Sequence, residues 1–147
     1  MLLVDEYVAL PALVGRAPEP VQGQALAMTY GRTYRLTRAL LDPGPGRLQV
    51  RGRPTRLVDG LSPVDQHTLH EQLADPDPRL LTIVDPRPLI RATGAIQNTY
   101  ALSMLQAETL AAALTHDWAI RFADAASAPD PVRRAAEELG LDLQILP

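Results

Sequence analysis

The sequence predicts a three-layer α/β/α fold with a central, mostly parallel sheet. Short apolar runs rich in strand-forming residues alternate along the chain with segments of helical periodicity. Most of the prolines fall in the connections between these segments. Because strands and helices alternate, the strands are expected to run parallel with helices on both faces of the sheet. The length of 147 residues fits a single domain spanning 1–147.

The first half of the chain contains two predicted strand–helix pairs. Strands are predicted at 1–4 and 24–30, and helices at 6–15 and 33–41. In the second helix, Leu36, Ala39 and Leu40 share one face, while Arg35 and Arg38 lie toward the other. The sequence Asp-Pro-Gly-Pro-Gly at 42–46 ends this helix. No element is assigned between 47 and 60.

The second half repeats the alternation with clearer boundaries. A helix opens at Ser62 with Pro63 in its first position and ends at 75–78, and a strand follows at 80–84. A helix is predicted at 86–97, and the capping box from Ser103 to Gln106 opens another. A strand is predicted at 118–123. A helix follows, with Asp130 as its N-cap and Gly140 at its end, and the closing strand is predicted at 141–146.

Composition excludes several classes of protein. The chain has no cysteine, which rules out a disulfide scaffold, a cysteine-ligated metal site and a thiol nucleophile, and is typical of a reducing cytosol. No apolar run reaches the roughly 18 residues of a membrane span, and the N-terminus lacks a signal-peptide pattern, so we expect no membrane association and a cytoplasmic location. The sequence contains no phosphate-binding P-loop, dinucleotide fingerprint or nucleophile elbow.

The charge is distributed unevenly along the chain. All 14 basic residues are arginine, against 17 acidic residues, and the net charge is −3. Seven arginines and one acid, Asp42, lie between residues 32 and 56, which gives this stretch a charge of +6 and the remainder −9. Arginine binds phosphate in a bidentate manner, so the stretch predicts a nucleic-acid partner. The predicted contacts are Arg32, Arg35, Arg38, Arg47, Arg51 and Arg53; the alternative is a solvated face that pairs with the acidic remainder.

Aspartates follow three of the predicted strands. Asp5, Asp85 and Asp124 each stand where a strand ends, and these ends share one edge of a parallel sheet. Clustered carboxylates favour Mg²⁺ or Mn²⁺, which activates water for phosphodiester cleavage. The alternative for each aspartate is helix capping, because a carboxylate satisfies the free amides at a helix start. Glu108, in the first turn of its helix, is either a further carboxylate of this site or a helix-start residue.

Several segments together resemble a PIN domain. They are Leu-Val-Asp at 3–5, the stretch at 102–113 and the stretch at 132–145. Residues 33–40 and 46–48, taken with 102–113, resemble uncharacterised PIN-like proteins of actinobacteria. The resemblance implies a central parallel sheet and frequent homodimers. PIN-domain toxin ribonucleases use about four carboxylates around Mg²⁺ or Mn²⁺ to cut RNA, and the resemblance extends to a possible cognate antitoxin or other protein partner.

The resemblance carries over to only part of the acidic site. Asp5 matches the first family acid and Asp124 the fourth, whereas Arg35 stands in place of the second. The third position reads Gln106 rather than aspartate, and Glu108 lies half a turn further on. We therefore expect an incomplete metal site with weak or no metal-dependent ribonuclease activity.

Two alternatives remain open at this point. One is an active, divergent ribonuclease that binds Mg²⁺ or Mn²⁺ and acts through Asp5, Glu108 and Asp124. The other is a non-catalytic module that uses the arginine-rich stretch to hold RNA, DNA or an acidic protein.

Overall fold

The computed structural model describes residues 1–41 and 53–147. The central sheet has five parallel strands in the order β3-β2-β1-β4-β5. The strands are β1 (Leu2–Val4), β2 (Leu26–Thr29), β3 (Leu81–Val84), β4 (Ala119–Phe122) and β5 (Leu143–Ile145). All five agree with the predicted strands to within two residues at each end. The predicted α/β class is therefore confirmed, and the sheet is parallel throughout.

Helices cover both faces of this sheet. In the described ranges they are α1 (Glu6–Leu13), α2 (Tyr30–Leu41), α3 (Arg53–Asp59), α4 (Pro63–Ala74), α5 (Ile90–Tyr100), α6 (Met104–His116) and α7 (Asp130–Glu138). Apolar residues of α1 to α4 pack in one core cluster, and those of α5 to α7 pack in another. Neighbouring strand residues belong to different clusters: Leu3 packs with α5 to α7, and Val4 packs with α1 to α4. Period-two alternation thus joins both helical layers to one sheet.

The structure corrects several predicted helix boundaries. Helix α1 ends at Leu13 instead of 15, and α5 ends at Tyr100 instead of 97. Helix α2 begins at Tyr30, directly after β2, instead of at residue 33. Helix α5 begins at Ile90 instead of 86, because prolines in the preceding segment favour a short 3₁₀ turn at Arg87–Leu89. Asp130 is the first residue of α7 and not its N-cap; Pro129 takes that position, and the Asp130 carboxylate pairs with Arg133.

Residues Arg53–Asp59 form helix α3, in a part of the chain where no element was predicted from the sequence. It packs against α2 and contributes Val58 to the core. No helix in the described part of the chain is long and apolar enough to cross a membrane.

The strand order reverses between β1 and β4. From β1 the chain moves to β2 and β3 on one side, and then returns to place β4 and β5 on the other. In open parallel sheets, ligands bind in the crevice that such a reversal opens beyond the carboxyl ends of the strands. Asp5 and Asp124 follow β1 and β4, so both border this crevice.

Candidate functional site

A pocket of about 210 Å³ lies at the carboxyl edge of the sheet, beside the point where the strand order reverses. Its walls come from α1, α2, α3, the first turn of α6 and the segment after β4. Three arginines line it, Arg32, Arg35 and Arg53, together with Tyr7, Ser103, Leu105, Gln106, Ala126 and Ser127. Among the described residues, arginines thus line the pocket where the sequence predicted a cluster of carboxylates; each arginine has a carboxylate partner, and we refer to this site as the cationic pocket.

Asp5 is fully buried beside the pocket and bonded to two backbone amides. Its Oδ1 accepts from the Val8 amide at 2.9 Å, which caps α1, and its Oδ2 accepts from the Ala123 amide at 3.2 Å. Burial raises the pKa of Asp5, and the Ser127 side chain, the Val8 amide and Arg32 oppose that rise. Both carboxylate oxygens therefore tie strand ends and a helix start together.

Glu6, a residue that the sequence did not single out, is the centre of a buried ion cluster. Its Oε2 accepts from Arg32 Nη1 at 2.7 Å, and its Oε1 lies 3.0 Å from Arg35 Nη1. Arg32 also donates from Nε to the Thr109 hydroxyl at 2.9 Å, and its guanidinium lies 4.9 Å from the centre of the Phe122 ring. Arg32 is only 4% exposed, so its main partners are inside the protein.

Glu108 lies beyond the first turn of α6, in which the sequence placed it, because the helix begins at Met104. From α6 it caps the neighbouring helix α2. It is buried, and its Oε2 accepts from the Gly31 amide at 3.1 Å. A carboxylate at a helix N-terminus satisfies a free amide and interacts favourably with the helix dipole. A Cβ atom at Gly31 would lie 2.6 Å from Glu108 Oε2 and 2.7 Å from Leu105 Cδ2, so a larger residue would displace the ends of both side chains. This cap accounts for the early start of α2.

Asp124 is paired with Arg53, the first residue of α3. The pair is bidentate, with Arg53 Nη1 3.1 Å from Asp124 Oδ1 and a second, shorter contact through Nη2. The Arg53 guanidinium lies 4.1 Å from the centre of the Tyr7 ring, and Asp124 also accepts from the Ser127 amide. The bond to Arg53 lowers the pKa of Asp124. Together these contacts fix α3 to the carboxyl edge of the sheet.

The predicted acids thus all have partners inside the protein. Asp5 and Glu108 bind backbone amides, and Asp124 binds an arginine. Across 1–41 and 53–147, no group of three or more histidine, aspartate or glutamate side chains is placed to hold a metal ion. A divalent cation in the pocket would also face three guanidinium groups. The described acids are thus engaged by other partners, and Mg²⁺ or Mn²⁺ as the cofactor stays a prediction.

The predicted nucleic-acid contacts have different surroundings. Arg35 is 43% exposed in its side chain, and Arg38, one turn later on α2, is also exposed. Arg47 and Arg51 lie outside the described residues.

Asp85, the third aspartate that the sequence placed at the carboxyl edge, stands at the end of β3 and binds Arg87 at 2.6 Å, on the surface.

The signal for Glu6 was present in the sequence. Glu6, Leu10 and Leu13 share one face of α1, and the two leucines are apolar; this spacing indicates a buried face, although the sequence analysis did not use it. Tyr7 carries no comparable signal, because its role depends on Arg53, 46 positions later.

Comparison with family models and with curated proteins finds no match for this chain.

Proposed function

We propose that the chain is a PIN-like domain that binds the phosphates of nucleic acid in the cationic pocket and has weak or no metal-dependent ribonuclease activity. The observation that carries the proposal is the arginine lining of the pocket at the carboxyl edge of the sheet, in which Arg35 keeps 43% of its side chain exposed. The parallel sheet supports the PIN-like part, because the resemblance implies such a sheet.

The chemistry of the pocket favours an anion. Guanidinium groups present planar pairs of donors that match phosphate oxygens. Arg35 is the most accessible of the three arginines, because its pairing with Glu6 leaves 43% of its side chain exposed. Arg38 extends the positive surface along α2, a helix without acidic residues. The first turn of α6 borders the same pocket with the positive end of its dipole.

The acids around the pocket support the absence of hydrolysis. Asp5, Glu108 and Asp124 serve as a helix cap, a second helix cap and an ion-pair partner. Each carboxylate already accepts a bond that holds two elements of the fold together, and a cation would compete with that bond for the same oxygens. Binding without hydrolysis leaves these bonds in place.

The experiment that tests this function separates binding from cleavage. A labelled RNA strand is titrated with the protein in EDTA and followed by fluorescence anisotropy, and the same strand is then incubated with protein and Mn²⁺ and analysed on a gel. We expect binding in EDTA, weaker binding by Arg35→Gln, and no protein-dependent cleavage. Arg91→Gln is the matched control, because Arg91 is an exposed arginine on α5 in the opposite helical layer.

Two results would overturn the proposal. One is the absence of binding to any RNA or DNA strand. The other is robust Mn²⁺-dependent cleavage that disappears in Asp5→Asn and Glu108→Gln, which would establish the active, divergent ribonuclease instead.

A further inference from the structure

Two exposed tyrosines form a parallel pair on α2. The ring centres of Tyr30 and Tyr34 lie 6.5 Å apart, and their planes differ by 10°. Tyr30 is 53% exposed and Tyr34 is 55% exposed, so much of both rings is open to solvent. Aromatic rings usually bury most of their surface, and exposed apolar clusters commonly mark binding surfaces.

Positive charge flanks this tyrosine pair. Arg38 follows Tyr34 by four residues, on the same side of α2, and is exposed. Arg35 follows Tyr34 directly and lines the cationic pocket. No acidic residue interrupts the helix from Tyr30 to Leu41. Open aromatic faces beside arginines are the combination with which proteins bind unpaired bases and the phosphates that join them.

We propose that Tyr30 and Tyr34 form a base-stacking site, and that the nucleic acid bound at the pocket is therefore single-stranded. This inference rests on the proposed function, which supplies the phosphate contacts. A base stacks on the open tyrosine faces, and the neighbouring phosphates contact Arg35 and Arg38. A duplex keeps its bases stacked on one another, so it offers no free base face to the tyrosines.

A second copy of the chain is the competing occupant of this surface. A two-fold interface centred on the pair would bring Arg35 and Arg38 of both copies together. Like charges brought close in an interface oppose association. A polyanion instead uses the same arginines favourably, so the charge of α2 favours nucleic acid over self-association.

The test compares strands and variants by fluorescence anisotropy in EDTA. The probes are a labelled single-stranded RNA, the DNA strand of the same sequence, and a duplex formed from that DNA. The variant is Tyr30→Ala with Tyr34→Ala. The matched control is Tyr30→Phe with Tyr34→Phe, which keeps the rings and removes the hydroxyls. A single strand containing 2-aminopurine adds a direct readout, because the fluorescence of this base falls when it stacks.

We expect the single strands to bind more tightly than the duplex. The double alanine variant should bind single strands at least about fivefold more weakly, the lower end of the effect of losing one stacked base, and should lose the quenching of 2-aminopurine. The double phenylalanine variant should retain both. Circular dichroism confirms that each variant is folded, which is expected because both side chains are exposed.

Three results would overturn the inference. If single strand and duplex bind equally and the alanine variant is unchanged, the tyrosines do not stack on bases, while the proposed function stands. If the alanine variant converts a dimer to a monomer in light scattering and leaves affinity unchanged, the surface is a self-interface. If no nucleic acid binds, the proposed function fails first and this inference fails with it.

Discussion

The two sides of α2 show how one arginine-rich stretch serves two different purposes. On the buried side, Arg32 pairs with Glu6 beneath the pocket, and Leu36 packs in the core. On the exposed side, Tyr34 and Arg38 face solvent. These arginines of α2 are close in the sequence, yet Arg32 is buried, whereas Arg35 keeps 43% of its side chain exposed beside Glu6 and Arg38 is exposed. Substitutions on the buried side should therefore change stability, and those on the exposed side should change binding.

The largest expected effect is the loss of the buried ion cluster. Glu6→Ala leaves Arg32 buried without its carboxylate partner, and we expect the free energy of unfolding to fall by about 3–5 kcal/mol. Urea denaturation followed by circular dichroism measures the change. Glu137→Ala, at an exposed site on α7, is the control and should alter stability by no more than about 0.5 kcal/mol. An equally small effect of Glu6→Ala would show that the cluster is not structural.

The next largest effect concerns Asp5. Asp5→Ala removes the cap of α1 and leaves the Ala123 amide without its acceptor. We expect the free energy of unfolding to fall by about 2–4 kcal/mol. Loss of the cap accounts for about 1 kcal/mol, and the unpaired amide for about 1–3 kcal/mol. Ser62→Ala removes the exposed cap of α4 and should cost only about 1 kcal/mol. Thermal or urea unfolding of both variants tests this, and equal losses would contradict the bridging role of Asp5.

A smaller effect is expected at the attachment of α3. Arg53→Ala removes a partly exposed ion pair with Asp124, and solvent screening limits that pair to about 0.2–1 kcal/mol. The pKa of Asp124 is lowered in the folded state, so the pair stabilises the fold above the ordinary pKa of 3.8 and this stabilisation is lost as pH falls through the lowered pKa. Denaturation across acidic pH should show the two proteins converging in stability. A constant difference would argue against the charge pairing.

The last expected effect is a pH dependence of opposite sign at Asp5. Burial raises its folded-state pKa above 3.8, so its contribution to stability falls as pH rises from 3.8 through the raised value. Asp5→Asn does not ionise, so this fall should be absent from the variant. The free energy of unfolding of the wild type minus that of Asp5→Asn should therefore fall as pH increases through that range. Urea denaturation at several pH values measures this quantity, and a rise with pH would contradict the raised pKa.

The sequence predicted the fold well because the pattern of each element is local. Periodicity and capping identified all five strands, and the start of α6 at its capping box was confirmed. The early start of α2 was not predictable, because the carboxylate that caps it belongs to Glu108, 77 residues away from Gly31. Helix α3 was missed because Arg53 is held by Asp124 and Tyr7, which are remote in sequence.

The site was harder to predict than the fold for the same reason. The aspartates after β1 and β4 were placed at the carboxyl edge, as strand order implies. Their partners could not be predicted from the sequence, because the hydrogen bond from Ala123 to Asp5 and the ion pair of Arg53 with Asp124 join residues that meet only in the folded chain. The place of an acidic residue in the sequence therefore predicts where it lies in the fold, but it does not predict whether its carboxylate is available to a metal.

The most direct test of the difference between the two sides of α2 is the salt dependence of single-stranded RNA binding in EDTA. Wild type and the variant Arg35→Gln with Arg38→Gln are compared over a salt series by anisotropy. Each lost phosphate contact reduces the slope of log affinity against log salt by about 0.7, so we expect the variant slope to be smaller by about 1.4. Equal slopes, or binding that does not depend on salt, would contradict the assignment of the exposed side of α2 to phosphate binding.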